Sequence, residues 1–186
     1  MGHIFFFHPV FERLHELLTG DPVASAQFVW LKFGTFEEEL IRNLLPHDIA
    51  LARVLFGRIA EGATVFERAG IRTATDYLSL RLDFGNGVEG CSIYVDRCAA
   101  QQRKTVRVKT VSGNVFVWDQ DELYRLDQHA GFLPIFQGNA EPLQREAVAF
   151  IRSLDENTSD FLTGEIAVDV ARMIESIAGD LCGMEA

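Results

Sequence analysis

The stretch TDYLSLRLDF, residues 75–84, alternates between two kinds of side chain. Leucine or phenylalanine occupies the even positions from 78 to 84, and tyrosine or a polar residue occupies the odd positions from 77 to 83. A period of two is typical of a β-strand that has one face on a core and the other towards solvent or a second subunit. The stretch therefore predicts a strand in a sheet that is covered on one side.

Other short segments around this strand have the same period. Turn sequences such as FGNGVEG (84–90) and SGN (112–114) separate them and predict tight connections. The segments are ATVFERAG (63–70), VEGCSIYVD (88–96), KTVRVKTV (104–111), NVFVWD (114–119) and ELYRL (122–126). Together they predict a broad, mostly antiparallel sheet.

Before this run, the sequence alternates between strand and helix patterns. Residues 3–7 (HIFFF) predict a strand, and a helix is predicted from Pro9 to the residues before Gly20. Residues 23–33 predict a further strand. Apolar residues at helical spacing then predict a helix over residues 46–56, which ends at Gly57.

After residue 139 the period becomes helical again. One helix is predicted to begin near Pro142 and a second after Thr163, each with apolar residues on one stripe. We therefore expect residues 1–186 to form a single α+β domain. Its architecture would be one broad, mixed but mostly antiparallel sheet with helices packed on one face.

Charge and composition argue against several classes of partner. The net charge is −10 and the sequence pI is about 4.9, which disfavours binding to nucleic acid or to an anionic membrane surface. The N-terminal GHIFFFHPVF lacks the basic region and cleavage site of a signal peptide, and no window is long enough to span a bilayer. Cys91, Cys98 and Cys182 show no C-x-x-C spacing, so a reduced, cytoplasmic setting is expected.

Compact motifs for cofactors, metals and nucleophiles are missing from the sequence. There is no G-x-G-x-x-G, P-loop, H-E-x-x-H or G-x-S-x-G, and the glycine-rich FGNGVEG lies between two strands and opens no helix. His3, His8 and His15 are close in sequence, but zinc needs three or four converging ligands. We expect neither a cofactor site nor a metal site in this chain.

His47 is the remaining candidate for chemistry, in NLLPHDIALARVLFG (43–57). Pro46 fits a helix only near its start, so His47 would lie in the first turn, where the helix dipole favours a neutral imidazole suited to proton transfer. A near-helical backbone from Asn43 would put Asn43 and His47 on one face. The alternative is a structural histidine bonded to backbone, with Asp48 complementing the dipole, and the local sequence favours this alternative without excluding the first.

The order of elements resembles the C-terminal domain of the Gfo/Idh/MocA oxidoreductases, the family of glucose-fructose oxidoreductase and inositol dehydrogenase. The similarity covers about residues 2–179, and LLPHDI and WD resemble the sugar-nucleotide 3-dehydrogenase branch. The similar stretches are GHIFFFHPVFERLHELLTGDPV, LLPHDIALARVLFG (like the family's D-x-x-x-H segment and helix), LRLDFGNGVEGCSIYVD, TVRVKTVSGNVFVWDQDELYRL, EPLQREAVAFIRSL and FLTGEIAVDVARMIESI.

This resemblance implies a role for each of four residues. In the family, a preceding Rossmann domain binds NAD or NADP and supplies a lysine, while this domain supplies the substrate pocket, the catalytic histidine and a sheet face that pairs subunits. His47 would be the acid/base group, and Asn43 would stand where the family usually has aspartate. Lys104 and Arg107 would be substrate-binding residues, although both also fit exposed strand positions.

Two departures from the family pattern affect the expected chemistry. Asn43 cannot act as a base or form a charge-assisted bond to His47, and FEEELIRN replaces the usual glycine-rich approach. Residues resembling the domain boundary follow Met1 directly, so we expect either a piece of a longer enzyme or a natural stand-alone domain. Hydride transfer needs the nicotinamide, so this chain alone would not be catalytically complete.

Three functional hypotheses follow from the resemblance. The chain is the substrate-binding and oligomerisation part of an NAD(P)-dependent sugar or sugar-nucleotide oxidoreductase, with a sugar-like small molecule and a Rossmann domain or chain as partners. Alternatively, it is a homo-oligomeric binding or scaffold domain without enzymatic activity, or a folded remnant. The first two predict a homodimer or tetramer through the open sheet face.

Overall fold

The computed structural model describes residues 4–85, 88–139, 141–156 and 164–183. Eight strands form one sheet in the order β2-β3-β4-β1-β5-β6-β7-β8. The strands are β1 (Val23–Phe33), β2 (Gly62–Ala69), β3 (Tyr77–Asp83), β4 (Gly90–Asp96), β5 (Cys98–Thr110), β6 (Val115–Asp119), β7 (Glu122–Asp127) and β8 (Gly131–Gln137). Only β1 and β4 pair in parallel, so the predicted mixed, mostly antiparallel sheet is confirmed.

The described helices include one 3-10 turn and five α-helices. They are the 3-10 turn Ile4–Phe7, α1 (Pro9–Leu17), α2 (Leu40–Asn43), α3 (Leu45–Leu55), α4 (Pro142–Glu156) and α5 (Gly164–Gly183). Gly57 adopts φ +67° directly after α3, as expected for a helix-ending glycine. None of the helices in these ranges is long and apolar enough to cross a membrane.

The core lies between one face of the sheet and the helices, as predicted. Even-numbered residues of β1, β3 and β5 point to this side, including Phe28, Leu80 and Val106, each about 1% exposed. Odd-numbered residues such as Arg107 point to the other face, which no described helix covers. The alternation in residues 75–84 therefore identified the buried face correctly.

The strand predicted for residues 3–7 is wrong over its described part. Ile4–Phe7 form a 3-10 turn, closed by the His8 N–H group that donates to the Phe5 carbonyl at 3.2 Å. Phe6 and Phe7 are consecutive and both buried. A strand would direct these neighbours to opposite faces, whereas the turn keeps both in the core.

Strand β8 was not predicted from the sequence. It pairs only with β7, and Pro134 interrupts its apolar pattern. Proline is tolerated at a sheet edge because the missing N–H group is not needed by a second neighbour. The exposed side chains of Phe132, Leu133 and Ile135 leave an apolar edge on this part of the molecule.

Candidate functional site

The residues predicted to act together lie where α2 runs into α3. Leu44 joins the two helices with φ −90° and ψ −46°, and its N–H donates to the Leu40 carbonyl at 3.0 Å. The His47 N–H group in turn donates to the Leu44 carbonyl at 3.3 Å. The backbone is thus near-helical throughout, so Asn43 and His47 are one helical turn apart, and both side chains are half-buried.

Two aromatic rings surround the His47 imidazole. The Phe5 ring lies 5.4 Å from it at 86°, and the Trp30 ring lies 5.8 Å from it at 64°. Phe5 and Trp30 also meet edge to face, 5.4 Å apart. Phe5, Trp30 and His47 are all partly exposed, so they form an aromatic wall at the surface. Edge-to-face packing holds such rings in defined orientations.

Behind this wall lies a buried ion pair. Lys104 Nζ is 2.5 Å from Asp48 Oδ1, and the two side chains are 10% and 1% exposed. The same ammonium group lies 3.8 Å above the Trp30 ring centroid and 4.3 Å above that of Phe5. A cation over aromatic faces gains electrostatic stabilisation, which increases when water is excluded.

Burial controls the electrostatics of this pair. It raises the pKa of Asp48 and lowers the pKa of Lys104, and the charge of each partner opposes the shift of the other. Asp48 Oδ2 is buried and accepts no hydrogen bond from any described residue. Burial, together with the nearby Asp48 charge, also raises the pKa of the Cys91 thiol, which is therefore poorly suited to act as a nucleophile.

A second buried network fixes the loop that leads into α2. Arg97 donates to the carbonyls of Thr35 and Glu38 at 2.8 and 2.5 Å, and its Nε donates to Asp76 Oδ1 at 2.9 Å. Its guanidinium also donates to Thr73 Oγ1. Five donors in one rigid plane suit this role. The network holds the FEEEL segment, which replaces the glycine-rich approach of the resembled family.

The structure brings three of the four predicted site residues to one end of the sheet. Asn43, His47 and Lys104 lie on its helix-covered side, where Lys104 pairs in register with Trp30. Arg107 is three residues further along β5, so its side chain lies on the other, open face of the sheet, where its register partner is Gln27. Arg107 is therefore not part of the cluster around His47, and its role in substrate binding stays a prediction.

Sequence reasoning missed several residues of this cluster. Phe5 and Trp30 come from segments read only as strands, and Asp48 was considered only as a complement to the helix dipole. The sequence contains a signal for Asp48, since HDIALA places a charged residue on a helix whose other faces are apolar. No local signal predicts that Lys104 is its partner, because 56 residues separate them.

The histidines near the N-terminus serve structural contacts. His8 Nδ1 accepts from the Val10 N–H at the start of α1, and His8 Nε2 lies 3.3 Å from Asp121. His15 packs against Phe11, and His3 lies outside the described residues. No group of three or more metal-ligating side chains occurs within the described ranges.

Two clefts open near the end of the sheet that carries Lys104 and Trp30. One, of about 390 Å³, is lined by residues of α2, by Phe36 and Arg97, and by Leu181 of α5. The other, of about 670 Å³, is shallow and polar, and it lies at the β6–β7 turn between Gln101–Arg103 and Asp119–Glu122. Amides and carboxylates in such a cleft can exchange hydrogen bonds with a hydroxylated molecule.

Comparisons with protein-family models and with curated proteins give no match. Solved structures match over nearly the whole chain. The UDP-N-acetylglucosamine 3-dehydrogenase GnnA from Acidithiobacillus ferrooxidans aligns with a TM-score of 0.81 over 94% of this chain and 58% of its own, at 16% identity. A dehydrogenase, MviM, from Clostridium difficile aligns with a TM-score of 0.73 over 96% of this chain and 61% of its own, at 14% identity.

A third match is levoglucosan dehydrogenase, solved with NADH and levoglucosan. Its TM-score is 0.73 over 96% of this chain and 63% of its own, at 15% identity. The chain thus spans about 60% of the length of each of these structures. Identities at this level show a shared fold. This chain has the fold of the C-terminal domain of the Gfo/Idh/MocA-type dehydrogenases, as the sequence resemblance predicts.

Proposed function

We propose that this chain is the substrate-binding and oligomerisation part of an NAD(P)-dependent oxidoreductase that acts on a sugar or sugar nucleotide. The observation that carries the proposal is the placement of His47, half-buried in the first turn of α3 and framed by Phe5 and Trp30. Two of the matched structures, a UDP-N-acetylglucosamine 3-dehydrogenase and levoglucosan dehydrogenase, support a carbohydrate as the substrate class.

The proposed chemistry divides between this chain and a cofactor-binding partner. The nicotinamide supplies a hydride acceptor when a Rossmann domain or chain presents it. In its neutral form, His47 accepts the hydroxyl proton of the sugar as the sugar carbon is oxidised, and it returns a proton in the reverse direction. Asn43 can donate or accept a hydrogen bond to orient the substrate but cannot take the proton.

The proposal places the nicotinamide cofactor on a Rossmann partner and not on this chain. No glycine-rich loop opens a helix in the described ranges, and the Lys104 ammonium group is paired with Asp48. The aromatic wall fits a sugar better, because apolar C–H faces of a pyranose can pack on Phe5 and Trp30 while its hydroxyls reach polar groups. The cofactor is therefore assigned to the partner.

The second candidate is a homo-oligomeric scaffold or binding domain without activity. The observation in its favour is the amount of exposed apolar surface. Leu143, Phe150 and Ile151 of α4 are 54% to 66% exposed, and β8 adds Phe132 and Leu133. Exposed apolar side chains on one helix face, as on α4, are typical of protein–protein contacts when they form a continuous patch. In both candidates the homo-oligomer uses the open sheet face. The apolar surface would contact the Rossmann domain or chain in the first candidate and another protein in the second, and only the first requires ligand binding beside His47.

Ligand titration distinguishes the two candidates. Uniformly ¹⁵N-labelled chain would be titrated with UDP-N-acetylglucosamine, levoglucosan and NADH in separate NMR experiments. We expect one of the carbohydrates to shift the Trp30 indole and His47 signals, and NADH to produce no binding. The matched variants are His47→Ala, expected to weaken carbohydrate binding several-fold, and His129→Ala on the exposed β7–β8 turn, expected to leave it unchanged.

Two outcomes would count against the first candidate. The scaffold candidate is favoured if a carbohydrate shifts NMR signals of the chain but not those of His47. It is also favoured if neither carbohydrate shifts any signal at millimolar concentration. Micromolar binding of NADH to this chain alone would contradict the assignment of the cofactor site to a partner.

A further inference from the structure

The buried pair of Lys104 and Asp48 has no part in the chemistry described so far, yet it adjoins the candidate acid/base residue. We propose that the pair is a positioning device that sets the orientation of the His47 imidazole through Phe5 and Trp30. The inference builds on the proposed function, because it explains how that site is organised. It assigns no contact with substrate to either residue.

The geometry places both groups on the same two rings. Lys104 Nζ lies over the faces of Trp30 and Phe5, at 3.8 and 4.3 Å, while His47 meets both rings edge to face. The buried ammonium group and the half-buried imidazole thus pack on the same two rings. Any movement of the cation changes the rings, and any movement of the rings changes the imidazole.

The pair also ties together the elements that build the site. Asp48 directly follows His47 in the first turn of α3, and Lys104 on β5 is the register partner of Trp30 on β1. Phe5 comes from the 3-10 turn at the N-terminus. The Lys104–Asp48 contact therefore connects β5 with α3, and the contacts of Lys104 with Trp30 and Phe5 extend this connection to β1 and the 3-10 turn.

The pair is poorly arranged for a role in stability alone. A buried ion pair contributes to stability only if its remaining donors and acceptors are hydrogen-bonded. Asp76 and Arg97 meet this condition, since the carboxylate also accepts from backbone N–H groups of Ile71, Arg72 and Thr73. Asp48 Oδ2, in contrast, receives no hydrogen bond from a described residue. Replacing such a pair with apolar residues is often neutral or stabilising in proteins, but apolar residues could not hold the rings with a cation.

The test is the ring-current signature of His47, observed in the ¹H and ¹³C NMR signals of its imidazole. In Lys104→Met, we expect these signals to lose most of the ring-current contribution of Phe5 and Trp30 to their chemical shifts, while the chain remains folded. Lys104→Arg should retain most of it, because a guanidinium also stacks on aromatic faces. Arg103→Met is the matched control: it breaks the exposed Arg103–Asp119 pair one residue away and should leave the signature unchanged.

The double variant Lys104→Met with Asp48→Leu separates positioning from stability. Replacing both charges with apolar groups should restore thermal stability towards that of the parent chain. We expect the His47 signature to remain altered. If the double variant restores both stability and signature, or if folded Lys104→Met keeps the parent signature, the proposal is wrong.

Two further measurements complete the design. If Lys104→Met does not fold, the other two variants test the proposal. Lys104→Arg must keep the ring-current signature of His47, and the double variant must lose it. Binding of UDP-N-acetylglucosamine or levoglucosan is measured separately. An altered signature in a chain whose parent binds neither carbohydrate would reject the proposed function and leave the positioning role standing.

Discussion

Asp76 and Arg97 show how this chain tolerates fully buried charges. Asp76 is 0% exposed and Arg97 is 1% exposed. Burial by itself raises the pKa of Asp76, but hydrogen bonds from the side chain and backbone of Thr73 and from the backbone of Arg72 and Ile71 together hold it well below its usual range. The carboxylate is thus stabilised by the 71–76 turn as well as by Arg97.

We predict that Asp76→Asn lowers the free energy of unfolding by about 3 kcal/mol or more, because it leaves Arg97 buried without a counter-charge. Urea denaturation at pH 7 measures the change. Asp119→Asn removes the carboxylate of the more exposed pair with Arg103 and should cost about 1 kcal/mol or less. Equal losses in the two variants would contradict this account.

The stability loss in Asp76→Asn depends on pH. Because the pKa of Asp76 is lower in the folded state, its stabilising contribution is fully present above the unfolded pKa of about 4 and is lost as the pH falls towards the folded value. The stability difference between the parent chain and Asp76→Asn should therefore be constant from pH 7 to 5. It should shrink below about pH 4. A difference that grows on acidification would rule this out.

At the scale of elements, α1 is held at its start by a histidine. His8 Nδ1 accepts from the Val10 N–H, so the neutral ring carries its proton on Nε2, which faces Asp121. Its ring also packs against the Trp118 ring, with the centroids 4.9 Å apart and the planes tilted by 41°. Burial lowers the pKa of His8, and the Asp121 charge opposes part of that shift. Protonation of Nδ1 would remove the helix cap.

We predict that His8→Ala destabilises the chain by about 1 kcal/mol, the usual cost of losing an N-cap, whereas His8→Asn retains most of the stability. Since the pKa of His8 is lowered by folding, stability is greatest above the unfolded pKa of about 6.5 and falls as the pH drops below it. His8→Asn should weaken this decline between pH 7 and 5, and His129→Asn should not. Thermal denaturation across this range would show whether the two profiles differ.

Helix α4 forms with its apolar stripe turned outward. The helical period of residues 142–156 was read correctly, and Pro142 begins the helix as predicted. Leu143, Phe150 and Ile151 nevertheless remain exposed. Periodicity predicts that a stripe exists, and packing against a partner decides whether it is covered.

The whole molecule presents two unlike surfaces to a partner. The open sheet face carries polar and half-buried residues such as Gln27, Arg107 and Val117, which lie side by side across β1, β5 and β6. The exposed stripe of α4 is separate from it and more apolar. We expect the predicted homodimer or tetramer to use the sheet face, and we propose the α4 stripe as the contact for a cofactor-binding domain.

We predict that the chain is a dimer or tetramer by light scattering and that Val117→Glu makes it monomeric. The new carboxylate lies opposite Arg107 in register, so a cross-strand ion pair keeps the fold while the interface gains charge. Phe150→Asp on α4 should leave the mass unchanged. A monomeric parent chain at high concentration, or dissociation by Phe150→Asp alone, would contradict the sheet-face interface.

The period of side chains along the sequence was sufficient to predict most of the fold. Residues 75–84 alternate because one face of β3 is buried, and that fact is local to the strand. Gly57 after α3 and Pro142 at the start of α4 affect the backbone within one turn, so the sequence alone predicts the helix end and the helix start that they mark. His47 and Asn43 could be placed one turn apart for the same reason.

Contacts between distant segments could be decided only by the tertiary structure. The 3-10 turn at Ile4–Phe7 forms because the core accepts adjacent phenylalanines, and β8 forms because β7 offers an edge that tolerates Pro134. The cluster around His47 draws on residues 5, 30, 48 and 104, which the sheet order brings together. Periodicity predicts which face of an element is buried. Which elements lie next to each other depends on packing over the whole chain, and the environment of His47 depends on it for the same reason.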